Sequence, residues 1–307
     1  MTASDRTLTL YDAFSEVPGG GSVAGVVGTA TGFSAERMQQ VATEVGAPAT
    51  CFVTGVDSGV VDVRFFSTLT EYPMCGHGTI AVFTWLVEEG RLVAGPEPEA
   101  VSWTLRTPGG TATVDVAARA DGRPEVMLAL GPTVAEPCPV DAPEVARLLG
   151  IGIGAVIEPL ALEAASADFT HLVVRVDGLA AIGRLSPDYA AVADLCRRIG
   201  ADTLAVFTTE TSDPAVTIRC RDFCPAVGTP EAAATGTTNR ALACHLVRSG
   251  LADVDADSPV VVVAAQGVEM GRPSLIRTEV VMVDGLPTRL HVGGMATRAS
   301  EGTVRMW

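Results

Sequence analysis

Residues able to move a proton from carbon gather in one run, Met74-Cys75-Gly76-His77-Gly78-Thr79-Ile80. A thiol and an imidazole two residues apart can reach one substrate atom, as proton abstraction beside a carboxylate or imine requires. From Ile80 to Val87 nearly every residue is apolar, and a helix greasy on all sides is buried. Gly90 supplies its stop. Cys75 to Gly78 then fall where the first N–H groups of that helix are free, a setting that lowers a thiol pKa and receives a carboxylate. Cys75 is accordingly the expected base. The plainer alternative is a buried structural thiol, common for this residue type. His77 serves equally as a second acid/base, a ligand for substrate carboxylate, or a loop residue bonded to backbone.

A second copy of the pattern lies downstream. Thr235-Gly236-Thr237-Thr238-Asn239-Arg240 leads into Ala-Leu-Ala-Cys-His-Leu-Val-Arg-Ser-Gly250, and the interval 250 − 235 = 15 repeats 90 − 75 = 15. Each copy follows an alternating strand, Val61 to Phe65 in one and Val216 to Arg221 in the other. Two related halves follow, each with a buried helix whose start faces a shared cleft. Gly76, Gly78, Gly236 and Thr237 are candidates to offer backbone donors to a substrate anion, unless the glycines serve turn geometry alone. Thr235 is too weak an acid to become a base unaided, so it either orients a water or hydroxyl or is an inert replacement. Glu231 and Glu71 each precede a helix start; either could supply a catalytic carboxylate or simply favour the helix dipole.

The elements that must position these groups are legible from punctuation. Leu8 to Phe14 reads as a strand running into Pro18-Gly-Gly-Gly21-Ser22, a loop where backbone can approach a ligand, which makes Ser22 a binding candidate. Val23–Val27, Ala49–Val53 and Val60–Phe66 read as strands, and Ser34 caps an amphipathic helix to Glu44. Val101 to Val116 is a hairpin about Pro108-Gly-Gly. Gly131 to Pro139 is the linker candidate, dividing the chain at 1–130 and 131–307, with the last residues free to cross back to the first half. Beyond it come a strand at Thr170–Val176, a helix at Pro187–Gly200, strands at Thr203–Thr209 and Val260–Ala265, and a closing hairpin about Gly293-Gly294.

Composition narrows the function. With 21 Lys and Arg against 36 Asp and Glu, the net charge of −15 argues against nucleic acid or an anionic membrane as partner. Seven scattered cysteines show no metal spacing and no even disulfide framework, so a reducing cytoplasm and no metal are expected. No leader or membrane span is evident.

Tyr11-Asp12-Ala-Phe14, Phe66 through Cys75-Gly-His77, Gly228-Thr-Pro-Glu231, Gln266-Gly-x-x-Met-Gly-Arg-Pro-Ser274, Val292-Gly293-Gly294 and Glu301-Gly-Thr303 occur in an order and spread that resemble the phenazine-biosynthesis isomerase-like family. The resemblance implies the diaminopimelate epimerase-like α+β fold: two pseudo-symmetric domains, each a curled, mostly antiparallel sheet around a central helix. It also implies cofactor-independent carbon-acid chemistry on a small carboxylate, commonly in a homodimer, and it draws Gly293 and Gly294 into the binding set. This chain departs from the family pattern at Ala49 and Ala232, where acidic residues are expected, at Ser22-Val23, where Asn-Pro is expected, and at Thr235, which stands where racemases of the fold carry a second cysteine.

The reading that follows is an isomerase shifting a proton and double bond in an amino-acid-derived carboxylate. Cys75, His77 and Glu231 are its acid/base candidates. Its place is expected in secondary metabolism of the antibiotic type, and pyrroline-carboxylate precursors of alkylated prolines are the nearest analogue. The rivals are a dehydratase of a hydroxyproline-like substrate, using Cys75 with Thr235, and a catalytically silent ligand-binding relative.

Overall fold

The structure is a computed structural model describing residues 4–165, 169–253 and 258–306. The chain forms two compact units, one of residues 1–129 with 293–307, the other of residues 130–292.

In the first unit β1 (Ser4–Ala13) pairs antiparallel with β2 (Ser22–Val27), and β2 runs parallel to β3 (Ala49–Asp57) after crossing through α1 (Ala35–Val45). The Ser34 hydroxyl caps α1 by accepting from Arg37 N at 3.3 Å, and Gly46, at φ 71°, ends it in the left-handed conformation that glycine adopts without strain. Next, β4 (Val60–Phe66) lies antiparallel to β3, followed by the short β5 (Glu71–Tyr72) and the central helix α2 (Gly76–Glu88). A two-residue strand β6 (Gly95–Pro96) precedes the meander β7 (Val101–Thr107), β8 (Gly110–Ala118) and β9 (Pro124–Leu130), with β7 parallel to β4.

Strand alternation explains the layers. Phe52 and Phe66 point at α1, where their rings meet edge to face at 5.5 Å among Val27, Met38 and Val41. Cys51 and Phe65 point the other way and abut Gly78 of α2. From Gly78 to Leu86 every residue of α2 is buried, as its unbroken apolar run requires. Each fully buried side chain such as Leu86 or Phe83 contributes about 2 kcal/mol to stability.

The second unit repeats this plan. β10 (Val134–Glu136), inside the expected linker, pairs with β11 (Val156–Ala164) beyond α3 (Ala142–Leu148). β11 is antiparallel to β12 (His171–Val176). The chain then crosses through α4 (Gly178–Gly183) and α5 (Tyr189–Ile199) to β13 (Thr203–Thr208), parallel to β12. Antiparallel β14 (Ile218–Phe223), short β15 (Glu231–Ala232) and central helix α6 (Gly236–Arg248) follow. Then β16 (Val260–Gln266), parallel to β14, pairs with β17 (Ser274–Val283) ahead of β18 (Leu286–Gly294). Leu172, Val174, Leu204, Val206 and Phe223 face α3, α4 and α5; Val173, Ala205, Phe207, Ile218 and Cys220 face Leu242 and Leu246 of α6.

The final strand, β19 (Ala296–Met306), returns to the first unit and pairs with β1 from Ala13↔Ala296 to Ser4↔Met306. The fold is the diaminopimelate epimerase-like α+β architecture.

Candidate active site

Cys75 is the N-cap residue of α2, in extended backbone at φ −146°, ψ 109°, with its side chain making no capping bond. Thr79 secures the position from below, its amide and hydroxyl both donating to the Cys75 carbonyl at 2.9 and 2.8 Å. The Cys75 sulfur lies 3.5 Å from His77 Nδ1 and 3.8 Å from Nε2. Cys75 is 7% exposed and His77 is half-buried.

Burial sets the electrostatics here. It pushes the Cys75 thiol up to about 12, and the opposing pull of the Gly78 amide is the smaller effect. This corrects the expectation of a lowered thiol pKa. A helix start favours a thiolate, but withdrawing that anion from water costs more than one amide returns. Burial also brings His77 down to about 4, so at neutral pH the pair is a neutral imidazole beside a protonated thiol.

The two glycines of the run differ. A Cβ on Gly76 would meet nothing within 4 Å, which leaves the backbone at the first turn approachable. A Cβ on Gly78 would stand 2.8 Å from Cys51 Sγ and 3.0 Å from the Phe65 ring, so this glycine is demanded by packing. Ser22 opens β2, half-buried opposite Ala13; beside it Gly21, at φ 52°, would drive a Cβ to 2.0 Å from the Ala13 carbonyl. Gly293 rides on β9, where a Cβ would lie 1.9 Å from Val126 O, and Gly294 is buried next to it.

In the second unit Thr235 repeats the Cys75 position almost to the degree, at φ −141°, ψ 110°, and it too makes no capping bond. Asn239 stands where Thr79 stands, its Nδ2 donating to Thr235 O at 2.9 Å. Gly236 and Thr237 form the half-buried first turn. The Thr235 hydroxyl donates to Asp222 Oδ2 at 3.0 Å and accepts from Gln266 Nε2 at 3.2 Å.

Glu231 is spoken for. Arg221 Nε and Nη2 donate to its two oxygens, each at 2.8 Å, and Arg221 Nη1 also donates to Ile182 O and Leu185 O. Glu71 is held the same way by Arg64, with two bonds of 2.7 Å. Both arginines sit over a phenylalanine two residues on, Phe66 and Phe223. Each carboxylate thus ties β5 or β15 to the strand beside it. The sequence reading missed Asp222, Gln266 and both arginine partners.

A hollow of about 250 Å³ elsewhere in the first unit is lined by Thr54, Asp62, Arg64, Arg106 and Pro108. Its arginines are already paired, with Glu71 and Asp62. Among the described residues, no group of three or more His, Cys, Asp or Glu is placed to hold a metal, and no helix is long and apolar enough to cross a membrane.

Comparison with known proteins adds the following. The family model for phenazine biosynthesis-like proteins matches residues 11–302. An uncharacterized isomerase of Deinococcus radiodurans is 30% identical, over 94% of this chain and 92% of its own. A trans-2,3-dihydro-3-hydroxyanthranilate isomerase of Pseudomonas chlororaphis is 27% identical, over 96% of this chain and 98% of its own. The crystal structure of a PhzF-family phenazine biosynthesis protein from Bacillus anthracis superimposes with a TM-score of 0.86 at 24% identity, covering 98% of this chain and 99% of that one.

Proposed function

We propose that this chain, which belongs to the phenazine biosynthesis-like family of isomerases, moves a proton and a double bond within a small, amino-acid-derived carboxylate. The observation that supports this most is the Cys75–His77 contact of 3.5 Å at the start of α2, with open space beside Gly76.

The protonation states suggest a division of labour. His77, neutral at working pH, takes the proton from carbon; Cys75, a thiol, returns one to a second carbon of the conjugated system. The resulting imidazolium then gives its proton to the adjacent thiolate, and both groups recover the neutral forms that burial favours. Free amides of the first turn hold the substrate carboxylate. Ser22 and Gly294 are further candidates to hold it, and Thr235, Gly236 and Thr237 form the corresponding helix start of the second unit. Glu231, held in a bidentate ion pair, positions β15 in this reading and takes no proton. A specialised role in secondary metabolism fits the alanines at 49 and 232.

Incubation in D₂O tests the proposal. The panel holds pyrroline carboxylates, a 3-hydroxyproline and trans-2,3-dihydro-3-hydroxyanthranilate, the last being the substrate in the relative's name. Deuterium entering carbon with a shifted double bond, and abolished by His77→Asn, supports the isomerase. Loss of water from the hydroxyproline would favour a dehydratase. Binding without exchange of any carbon-bound hydrogen would leave a ligand-binding relative.

A further inference from the structure

The most unusual group that this chemistry leaves unused is Asp222. It lies on β14 with its carboxyl turned toward α6, and it is 1% exposed. Oδ2 accepts the hydroxyls of Thr235 at 3.0 Å and Thr238 at 2.8 Å. Oδ1, also buried, has no hydrogen-bond partner; Thr203, whose hydroxyl bonds His171 Nδ1 at 2.8 Å, stands beside the carboxyl without completing one.

The fold does not require an acid at this place. In the first unit the equivalent residue is Phe65: it pairs with Tyr72 as Asp222 pairs with Ala232, and with Cys51 as Asp222 pairs with Ala205. A phenyl ring completes the core there, pressed on Gly78. An isolated carboxylate in such surroundings is costly where no partner compensates. Its presence beside Thr235 points to use.

Thr235 has the complementary oddity. A threonine at an N-cap ordinarily bonds the free amides of its own helix, but this hydroxyl turns to Asp222. Gln266, itself anchored by Ala232 O and by Asn239, donates to the same oxygen. One lone pair of Oγ1 is left for a ligand at the helix start.

We propose that Asp222 and Thr235 form a proton relay: Asp222 lends a proton through Thr235 Oγ1 to a ligand at the start of α6 and recovers one on the return step. The inference deepens the isomerase reading and rests on it. In the forward step the Asp222 Oδ2–H bond breaks and a new Oγ1–H bond forms as Thr235 gives its original proton to the ligand. Asp222 is left as a carboxylate, and no free alkoxide is made. Both arrangements use the same heavy-atom positions: acid with the threonine hydroxyl turned outward, or carboxylate with it turned inward.

The surroundings of Asp222 suit a held proton. Burial raises its pKa, the hydroxyl bonds from Thr238 and Thr235 oppose that, and the Glu231 carboxylate adds to the rise. Cys220 on the same strand, and Cys196 and Cys224 nearby, are thiols that burial keeps protonated. Arg221 on β14 is committed to Glu231.

Infrared difference spectroscopy on the intact protein decides the matter without a substrate. At about pH 6, where an exposed aspartate is ionised, a carboxylic acid C=O band is expected that Asp222→Asn removes and Thr235→Val shifts. Absence of the band, or a band indifferent to Thr235→Val, overturns the relay whatever the enzyme's substrate. On any panel compound that exchanges deuterium, Thr235→Val and Asp222→Asn should slow exchange about 100-fold and alter its pH profile, with Thr235→Ser restoring most of the rate. Exchange at the wild-type rate and pH profile in a folded Thr235→Val protein also overturns it. Failure of the whole panel, with the band present, counts against the isomerase reading alone.

Discussion

Arg221 clasps Glu231 with two parallel N–H···O bonds of 2.8 Å, and both side chains are 8% exposed. Removing one member of such a pair leaves the other charged and buried, which costs about 3 kcal/mol. Glu231→Gln should therefore lower stability by about that amount in urea unfolding. The corresponding Arg64–Glu71 pair is more than a quarter exposed on each side, so Glu71→Gln should cost about 1 kcal/mol. A Glu231→Gln protein that stayed as stable as wild type yet lost turnover would restore Glu231 as a base.

Thiol reactivity separates burial from helix-start activation at Cys75. A thiol at about 12 presents almost no thiolate near pH 8, whereas an activated one is largely ionised. Cysteine-by-cysteine mass spectrometry with iodoacetamide should find Cys138, the one cysteine that is not fully buried, labelled first. Cys75 should lag by about 100-fold or more. Preferential labelling of Cys75 would mean that the sulfur is far more accessible and more acidic than its surroundings imply.

The pH dependence has a definite sign. A proton acceptor must be unprotonated, so exchange should rise through about pH 4 as His77 loses its proton and should show no step near the ordinary imidazole value. Stability follows the same groups. His77 at about 4 and His171 at about 3 are depressed by burial, so the unfolded chain binds more protons as pH drops below about 6.5. Their stabilisation is complete above that pH and is lost on acidification; at about pH 4.5 each should have given up about 2.5 kcal/mol. His77→Asn should flatten its share of that slope in urea unfolding.

Much of this was legible in the sequence because local chemistry and burial agreed. Gly90, at φ 66°, closes the turn after α2, Ser34 and Asp188 cap their helices, and the repeat from Cys75 and Thr235 marks two equivalent helix starts. Cys75 shows where the reading stopped: its helix-start setting is visible in the sequence, but the depth of burial that outweighs it is not. The Arg221–Glu231 tie needs the register of β14 against β15, ten residues apart in the chain. For Asp222 a signal did exist. Ile218, Cys220 and Asp222 alternate onto one face, so an acid in phase with an apolar row was inward-facing, although strand-end aspartates usually read as solvent-exposed. The pairing of β1 with β19, nearly the full chain length apart, leaves no local trace beyond alternation.

Gly76 and Gly78, two residues apart at the start of α2, should part company on mutation. Gly78→Ala forces a methyl against Cys51 Sγ and the face of Phe65, both fixed in a packed core, and overpacking of that kind costs about 2 kcal/mol. Gly76→Ala meets nothing within 4 Å in a helix's first turn, so its unfolding free energy should hold or rise slightly, by about 0.5 kcal/mol. The added methyl nevertheless occupies space assigned to the substrate carboxylate. Weaker substrate binding with undiminished stability is the expected signature at Gly76, read from KM against thermal unfolding. A Gly76→Ala enzyme with wild-type KM would move the carboxylate away from the first turn of α2.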